Sequence, residues 1–325
     1  MDQLSTIAPK SALFFKGRPG DPRLGDFVSF TQVDGIVKSK KPTISLLGAP
    51  DDLGVRLNKG RPGAKDGPDA VRESFYKFAL PDDPNFEKIR LLDVGNITVC
   101  DDILKNHSQA YSASEFICAS GSALIAIGGG HDYAAPHLLG AFSGSSQVSK
   151  RSRFGVINVD PHLDVRPFEN NLPHSGTPFR QILDSGVVKG QNLVEFGARI
   201  GRNSKDHFRY CKSMKVQVVG FEQIRRSSNS NLKFKSYLNN LGRTSDHIGV
   251  TIDLDSCCDL DGASAAAVVG FSAWELCQFA YLAGSHKKVC ILELAELAPN
   301  LDPSGRSARI AAEVAFHFLL GFLRR

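Results

Sequence analysis

Short apolar segments alternate with segments of helical periodicity along most of this chain, and this alternation restricts the fold more than any other feature. Several of the apolar segments are continuous runs, which is typical of parallel strands buried on both faces. Eight segments have the length of strands: 43–49, 88–94, 123–128, 154–160, 192–197, 215–220, 248–254 and 288–294. Helical patterns lie at 68–79, 112–122, 134–142, 176–185, 229–241 and 272–283, and an amphipathic helix is predicted from about Ser307 onwards.

Strands that alternate with helices predict an α/β fold, in which a single doubly wound domain has a central, mainly parallel eight-stranded sheet flanked by helices. The chain has 325 residues, 42% of them hydrophobic, which is enough for the large core of such a domain. The first 40 residues are less regular. We therefore expect an irregular N-terminal segment at 1–40 and one domain at 41–325.

Three of the predicted strands are followed by acids and histidine. The segments are Gly128-Gly-Gly-His131-Asp132, Asp160-Pro-His162-Leu-Asp164 and Thr251-Ile-Asp253-Leu-Asp255. Carboxylates next to strands buried on both faces are costly to desolvate unless a cation compensates their charge. Functional residues of such sheets collect beyond the carboxyl ends of the strands, so the three segments should meet at one rim. Four carboxylates and two histidines there predict a site for two divalent cations.

These motifs resemble those of the arginase/agmatinase (ureohydrolase) family, which are G-G-x-H, D-A-H-x-D and S/T-x-D-x-D. The resemblance extends over nearly the whole chain. It includes Gly60-Arg-Pro-Gly63, Gly67-Pro68 with Arg72, and Ala295-Glu296-Leu-Ala-Pro299-Asn-Leu-Asp302, which is similar to V-E-x-N-P-x-x-D. The chain departs from the family at Pro161 and, after the third motif, at Cys257 and Cys258. Pro161 removes a backbone N–H donor beside the ligands but does not occupy a ligand position.

The resemblance implies an arginase-like fold with two Mn²⁺ per chain. The implied ligands of the first ion are His131, Asp160, Asp164 and Asp253, and those of the second are Asp160, His162, Asp253 and Asp255. Carboxylate and imidazole donors without thiolate also suit Mn²⁺ better than a structural zinc. Two ions ~3.5 to 4 Å apart would activate a shared water to attack an amidine carbon. Asp164 would pass a proton to the leaving amine, and Glu296 would accept hydrogen bonds from the substrate.

The stretch after the second motif bears on the substrate. Ser175-Gly-Thr-Pro-Phe-Arg180-Gln181 is similar to the formiminoglutamases, whereas arginases and agmatinases usually place a histidine before the glycine. The resemblance favours cleavage of the formimino C–N bond of N-formimino-L-glutamate to L-glutamate and formamide, a step of histidine degradation. Guanidinium binds carboxylate bidentately, so Arg166 and Arg180, with Ser175, are the candidate contacts of this dicarboxylate. His174 is a candidate proton shuttle.

Several alternatives stay open. A guanidino hydrolase of the same family, acting on arginine, agmatine or a guanidino acid, would need the same ions. A binding protein that only keeps the fold is a second alternative, against which the retention of all six ligand types argues. Arg166 and Arg180 could be structural ion-pair residues, and His174 an ordinary loop histidine.

Charge, hydropathy and cysteine content argue against other classes of protein. The basic clusters behind the net charge of +5 lack interleaved aromatic residues, so no nucleic-acid partner is predicted. No apolar run reaches the ~18 residues that span a bilayer, and no signal-peptide pattern begins the chain, so we expect a cytoplasmic protein without a membrane partner. The seven scattered cysteines lack C-x-x-C spacing, which predicts buried thiols rather than disulfides or a zinc site. The family implies a small-molecule amidine or amino-acid substrate and a homo-oligomer, trimeric or hexameric.

No direct role in the site is expected for several other polar residues. Asp132 and Asp259 are expected behind the ligands or in loops, and Cys257 and Cys258 are expected to pack inertly because nothing in the sequence indicates a lowered thiol pKa. Five histidines match no motif and are expected on the surface or in the core: His137, His207, His247, His286 and His317.

Overall fold

One sheet of mainly parallel strands runs through the centre of the computed structural model, which describes residues 6–148, 152–226 and 229–325. Its strands are β1 (Thr6–Ile7), β2 (Ser29–Phe30), β3 (Thr43–Gly48), β4 (Arg90–Ile97), β5 (Ala123–Ile127), β6 (Phe154–Val159), β7 (Leu193–Ala198), β8 (Gln217–Gly220), β9 (His247–Asp253) and β10 (Val289–Ala295). Their order is β1-β4-β3-β5-β10-β9-β6-β7-β8, with β2 also paired to β4. Only β1 pairs in the antiparallel sense among these strands.

Helices cover both faces of this sheet. In the described ranges they are α1 (Leu24–Phe27), α2 (Leu53–Leu57), α3 (Gly67–Phe75), α4 (Ile103–Ala119), α5 (Ala134–Ser145), α6 (Pro178–Asp184), α7 (Lys205–Ser213), α8 (Phe221–Arg226), α9 (Ser230–Thr244), α10 (Ala273–Ser285) and α11 (Arg306–Phe322). One apolar cluster joins the sheet to α3, α9, α10 and α11, and a second joins its opposite face to α4, α5 and α6. No helix of the described part is both long and apolar enough to cross a bilayer.

The doubly wound α/β fold predicted from the sequence is confirmed, with one correction. The sheet has ten strands rather than eight, because β1 and β2 from the first 40 residues add to its edge beside β4. Each of these two strands has two residues, which is too short for any period in hydrophobicity to show. The division of the chain into 1–40 and 41–325 stays a prediction.

Helix boundaries follow capping side chains more closely than hydrophobic periodicity. Helix α4 begins well before the predicted 112, because the Asp102 carboxylate accepts hydrogen bonds from the backbone N–H groups of Leu104 and Lys105 at 3.1 and 3.2 Å. The capping box that starts α10 consists of Ser272 and Glu275, each side chain accepting from the other's backbone N–H. The predicted helical segments do not include α1, α2, α7 and α8; of these, α1, α2 and α8 have at most six residues, which is too short for a clear period.

The strand order places four chain segments side by side at one rim of the sheet. Strands β5, β10, β9 and β6 are parallel neighbours, so their carboxyl ends lie at the same edge. Residues that are far apart in sequence therefore follow adjacent strands. This is the location that the α/β topology favours for a functional site.

A buried ion pair ties α3 to β4. The Arg72 guanidinium is fully buried and donates to both carboxylate oxygens of Asp93 at 2.7 and 3.0 Å. It also donates to the Asn96 side-chain oxygen at 2.6 Å and to the Gly95 carbonyl at 2.9 Å. The Tyr76 hydroxyl donates to Asp93 as well. Every charged oxygen of the pair thus has a hydrogen-bond donor, which is the condition under which burial of an ion pair is tolerated.

We expect Arg72→Met to lower the free energy of unfolding by ~3–5 kcal/mol, because the substitution leaves the Asp93 carboxylate buried without its cation. Urea unfolding followed by circular dichroism measures the change. The control is Lys77→Met, which removes a cation from an exposed pair with Glu73 and should cost less than ~1 kcal/mol. Equal effects of the two substitutions would contradict the structural role of Arg72.

Candidate metal centre

The loop after β5 brings His131 into the site by an unusually close approach of two backbones. A Cβ atom at Gly129 would lie 1.7 Å from the carbonyl oxygen of Asp51, so only glycine fits there. His131 then begins a short 3₁₀ segment, with its side chain fully buried. The glycine-rich motif therefore serves the geometry of the site.

Two groups of side chains converge at the rim. In the first group, Nδ1 of His131 lies 3.1–3.2 Å from one carboxylate oxygen of each of three acids, Asp160, Asp164 and Asp253. In the second group, Nδ1 of His162 lies 3.3 Å from Asp160 and 3.3 Å from Asp255. Asp160 faces the first group with Oδ2 and the second with Oδ1, so it belongs to both.

Asp253 was expected to bridge the two groups, and the geometry places it in the first alone. Its Oδ2 faces His131, while its Oδ1 accepts a hydrogen bond from the backbone N–H of Asp255 at 2.8 Å. The proximity to Asp255 leaves Asp253 beside the second group. Its role as a second bridging ligand stays a prediction.

The donor atoms fit divalent cations in spacing and in charge. Donors held about 2.2 Å from one ion at right angles to each other lie about 3.1 Å apart, and the observed separations are 3.1–3.3 Å. Asp160, Asp253 and Asp255 are each at most 3% exposed. Even with both histidines protonated, four ionised carboxylates would leave an excess of negative charge in a buried volume, which divalent ions would compensate.

Protons perform part of this compensation in the metal-free protein. Burial disfavours a charged His162, but the carboxylates of Asp255 and Asp160 outweigh it and raise its pKa to about 12. Hydrogen bonds with the acids around His131 likewise raise the pKa of that histidine well above its usual value, against burial. Burial raises the pKa of Asp255 to about 6, and burial together with neighbouring carboxylates raises that of Asp253 further.

Two of the acids have strained backbones. Asp164 has φ of 42° and Glu296 has φ of 68°, in the left-handed region that residues other than glycine rarely adopt. Glu296 is fixed by two contacts with the loop after β5, since its Oε1 accepts from the His131 N–H and its own N–H donates to the Gly129 carbonyl, both at 2.9 Å. The backbone strain therefore lies at two residues whose side chains face the two groups of donor atoms.

The predicted substrate contacts differ in their surroundings. Arg166 is exposed, and its Nη1 donates to the Asn58 side-chain oxygen at 3.2 Å. Asn58 in turn donates to the Ser175 hydroxyl at 2.9 Å, so one asparagine links the two. Arg180 is partly buried, donates from Nε to the Val165 carbonyl at 2.9 Å and stacks on Tyr210 at 3.8 Å. The Arg180 guanidinium is thus largely engaged by the protein itself.

His174 lies beneath Arg166 and is 1% exposed. Its Nδ1 accepts a hydrogen bond from the Gly176 N–H at 3.1 Å, which places the proton of the neutral ring on Nε2. Burial and the charge of Arg166 lower the pKa of His174, so the ring is neutral near pH 7. A Cβ at Gly176 would lie 2.8 Å from Cδ of Arg166, so glycine leaves room for that side chain.

Two polar residues beside the site carry no signal in the sequence. Asn58 links Arg166 to Ser175, and Asn203 bonds to both sides of His162, through the Pro161 carbonyl and the Leu163 N–H at 2.9 Å each. Lone residues in loops carry no periodicity or motif that could have identified them.

The remaining polar residues lie away from the two groups. Asp132 is buried behind His131 and bonds to His107 at 2.7 Å, while Asp259 accepts from the Ala273 N–H at the start of α10. His137 is buried, which lowers its pKa to about 3. Cys257 is buried and Cys258 exposed, both as free thiols, and burial raises the pKa of Cys257 to about 12.

Comparison with known proteins agrees with the geometry of the site. Residues 42–321 match the Arginase family. A formimidoylglutamase of Legionella pneumophila (strain Lens) is 29% identical over 98% of both chains. A formimidoylglutamase of Staphylococcus aureus (strain bovine RF122 / ET3-1) is 31% identical over 90% of this chain and 91% of its own.

Solved structures share the fold. The crystal structure of Trypanosoma cruzi formiminoglutamase with Mn²⁺ is 30% identical, has a TM-score of 0.82 and covers 94% of this chain and 99% of its own. Formimidoylglutamase from Bacillus subtilis has the same TM-score at 23% identity, with 95% of this chain and 94% of its own covered. The resemblance inferred from the motifs is confirmed, and the chain belongs to the arginase family.

Proposed function

We propose that this protein is a binuclear manganese hydrolase that cleaves the formimino C–N bond of N-formimino-L-glutamate, giving L-glutamate and formamide. The observation that carries the proposal is the pair of buried donor groups that share Asp160, at the rim of an arginase-family sheet. Relatives over 90–98% of the chain are formimidoylglutamases, and one solved relative was crystallised with Mn²⁺. The cytoplasmic location and the homo-oligomeric assembly stay predictions.

The proposed ligands are those that the motifs implied. His131, Asp160, Asp164 and Asp253 would hold one Mn²⁺, and Asp160, His162 and Asp255 would hold the other. Asp253 would also reach the second ion, as the family motif implies. His131 is suited to this because its Nε2 is hydrogen-bonded to the Thr251 hydroxyl at 3.0 Å, which leaves Nδ1 directed at the acids. When bound, two such ions supply a hydroxide nucleophile near neutral pH by lowering the pKa of water.

Side chains around the groups would handle protons and hold the substrate. Asp164 is the most exposed of the four acids, with 13% of its side chain accessible, so it can accept a hydrogen bond from the nucleophile and pass its proton to the leaving amine. Glu296 uses Oε1 for the His131 N–H, which leaves Oε2 to accept from the substrate. His174, neutral at pH 7, would shuttle protons.

Arg166 is favoured over Arg180 as the contact of a substrate carboxylate. Its guanidinium is exposed beside the site and is oriented by Asn58, whereas the Arg180 guanidinium is stacked on Tyr210. An exposed planar guanidinium can bind a carboxylate bidentately. Formimino-glutamate carries two carboxylates, so this cation supports an acidic substrate over the cationic agmatine.

We expect metal-free protein to bind two Mn²⁺ per chain, with release of protons. The raised pKa values of His131 and His162 mean that both rings are protonated at pH 7, and each must lose its proton to become a ligand. Affinity should therefore rise with pH from 6 to 9, by about tenfold per pH unit for each proton displaced. Isothermal titration calorimetry in buffers of different ionisation enthalpy measures both quantities.

In the same titration Asp160→Asn should lose at least one ion, while Asp206→Asn on the exposed surface of α7 should keep both. A stoichiometry below two in the unsubstituted protein, or an affinity independent of pH, would contradict the proposed ligands.

A substrate panel tests the reaction. Protein loaded with Mn²⁺ should release formamide from N-formimino-L-glutamate and no urea from arginine, agmatine or guanidino acids, as measured by separate assays for the two products. Asp160→Asn should lower kcat by more than about 100-fold, because it removes the charge shared by both groups. Release of urea with no turnover of formimino-glutamate would replace the proposal with the guanidino-hydrolase alternative.

We expect Arg166→Met to raise KM for N-formimino-L-glutamate about 10- to 100-fold, as for the loss of a charged hydrogen bond worth ~1.5–3 kcal/mol. The change in kcat should be small, because a carboxylate contact of this kind binds the ground state and the transition state about equally. The matched substitution Arg180→Met should leave KM nearly unchanged and instead lower the thermal stability, since it breaks the contacts with Val165 and Tyr210. The opposite pattern in steady-state kinetics would assign the carboxylate to Arg180.

A further inference from the structure

A row of buried polar side chains lies directly beneath the metal ligands. Its four members are register neighbours on adjacent strands β7, β6, β9 and β10, so they project to the same face of the sheet: Glu195, Asn158, Thr251 and Glu293. Each is at most 1% exposed. The row precedes the rim by two residues on β6 and β9, since Asp160 follows Asn158 and Asp253 follows Thr251 at that spacing.

Asn158 connects this row to the acid that both donor groups share. Its side-chain Nδ2 donates to Oδ2 of Asp160 at 3.3 Å and to Oε2 of Glu195 at 2.8 Å. The NH₂ end of the amide therefore donates to two carboxyl groups. The other oxygen of Asp160 accepts the backbone N–H of His162 at 2.6 Å, so besides the two histidine rings each oxygen of that acid has one donor from the protein.

The bond to Glu195 and the charge of Asp160 together favour one orientation of the Asn158 amide. An amide rotated by half a turn would direct its oxygen at the Asp160 carboxylate, which repels it, and would break the shorter bond to Glu195. Glu195 thus stabilises the orientation in which the amide donates to Asp160. The oxygen of a bridging ligand must point in a fixed direction, so this orientation bears on both ions.

Packing does not account for an acid at position 195. The Glu195 carboxyl is buried, which raises its pKa well above the usual value, and within the described part of the chain its Oε1 has no hydrogen-bond partner. An apolar residue of similar volume would avoid this desolvation. The neighbours Phe196 and Val194 on the same strand are apolar and buried, as expected for a central strand.

We propose that Glu195 is a positioning residue of the metal centre, which acts through Asn158 to fix the carboxylate of Asp160. The proposal rests on the metal site of the proposed function and adds a residue that belongs to neither donor group. Removal of the acceptor oxygen at position 195 removes one of the two interactions that orient the Asn158 amide. The Asn158 donor to Asp160 is then held less firmly, and with it the orientation of the shared carboxylate.

The test compares two substitutions of Glu195 in the full chain, with Mn²⁺ as the titrant. Glu195→Leu removes the acceptor and should raise the dissociation constant for Mn²⁺ about 10- to 100-fold, the usual effect of losing a residue behind a ligand. Glu195→Gln keeps an acceptor oxygen without the ionisable proton and should bind within about threefold of the unsubstituted protein. Electron paramagnetic resonance of the bound Mn²⁺ pair gives a second readout independent of turnover.

A double-mutant cycle shows whether Glu195 acts through Asn158. Asn158→Leu alone should weaken Mn²⁺ binding as Glu195→Leu does, and Glu195→Leu should add no further loss in the Asn158→Leu background. Asn158→Leu also keeps the test decisive if Glu195→Leu does not fold, as judged by thermal unfolding of the metal-free proteins. The matched control is Glu222→Leu on the exposed surface of α8, which should leave the affinity unchanged.

Three results would overturn the proposal: unchanged affinity in folded Glu195→Leu and Asn158→Leu, an equal loss in Glu195→Gln and Glu195→Leu, or additive losses in the double variant. Failure of the unsubstituted protein to bind two Mn²⁺ would instead overturn the metal site itself, and the positioning role with it. The two failures are therefore distinguishable in one set of titrations.

Discussion

The concentration of buried negative charge at the carboxyl ends of the neighbouring strands β6 and β9 governs the rest of this structure. Asp160, Asp164, Asp253 and Asp255 lie within hydrogen-bond distances of two histidines, in a part of the fold from which water is largely excluded. Such a cluster is unfavourable without cations, and protons on the histidines offset only part of the charge. The sheet must therefore hold the acids together against their mutual repulsion.

The topology of the sheet meets this demand by joining distant parts of the chain. Strands β10 and β9 lie between β5 and β6 in the sheet, although β6 follows β5 in sequence. The loops that follow these four parallel strands therefore lie at one edge. Hydrogen bonds between the loops fix their relative positions, as between the Glu296 carboxylate and the His131 N–H. Rigid strands below and bonded loops above give the donor atoms their spacing of 3.1–3.3 Å.

The sequence predicts the strands and the metal-site residues, which depend on repeated patterns and motifs. It does not predict individual side-chain contacts between distant segments. The central strands follow from continuous apolar runs, and the convergence of His131, Asp160 and Asp253 follows from their common place after parallel strands. Nothing local marks Asn203 or Glu195, because their contacts join segments that become neighbours only in the folded sheet. Arg180 matched a motif, yet its engagement with Tyr210 depends on the packing of α6 against α7.

Asp164 and Glu296 have left-handed backbone conformations, which lower the stability of the protein at two residues that the site needs. Glycine would relieve the conformational strain at either residue, which costs of order 1–3 kcal/mol each, but it would delete an acid of the site. Selection of this protein for thermal stability alone would therefore favour variants with a higher melting temperature and a lower activity. The two residues mark where an engineer should leave the chain unchanged, whatever gain in melting temperature a substitution offers.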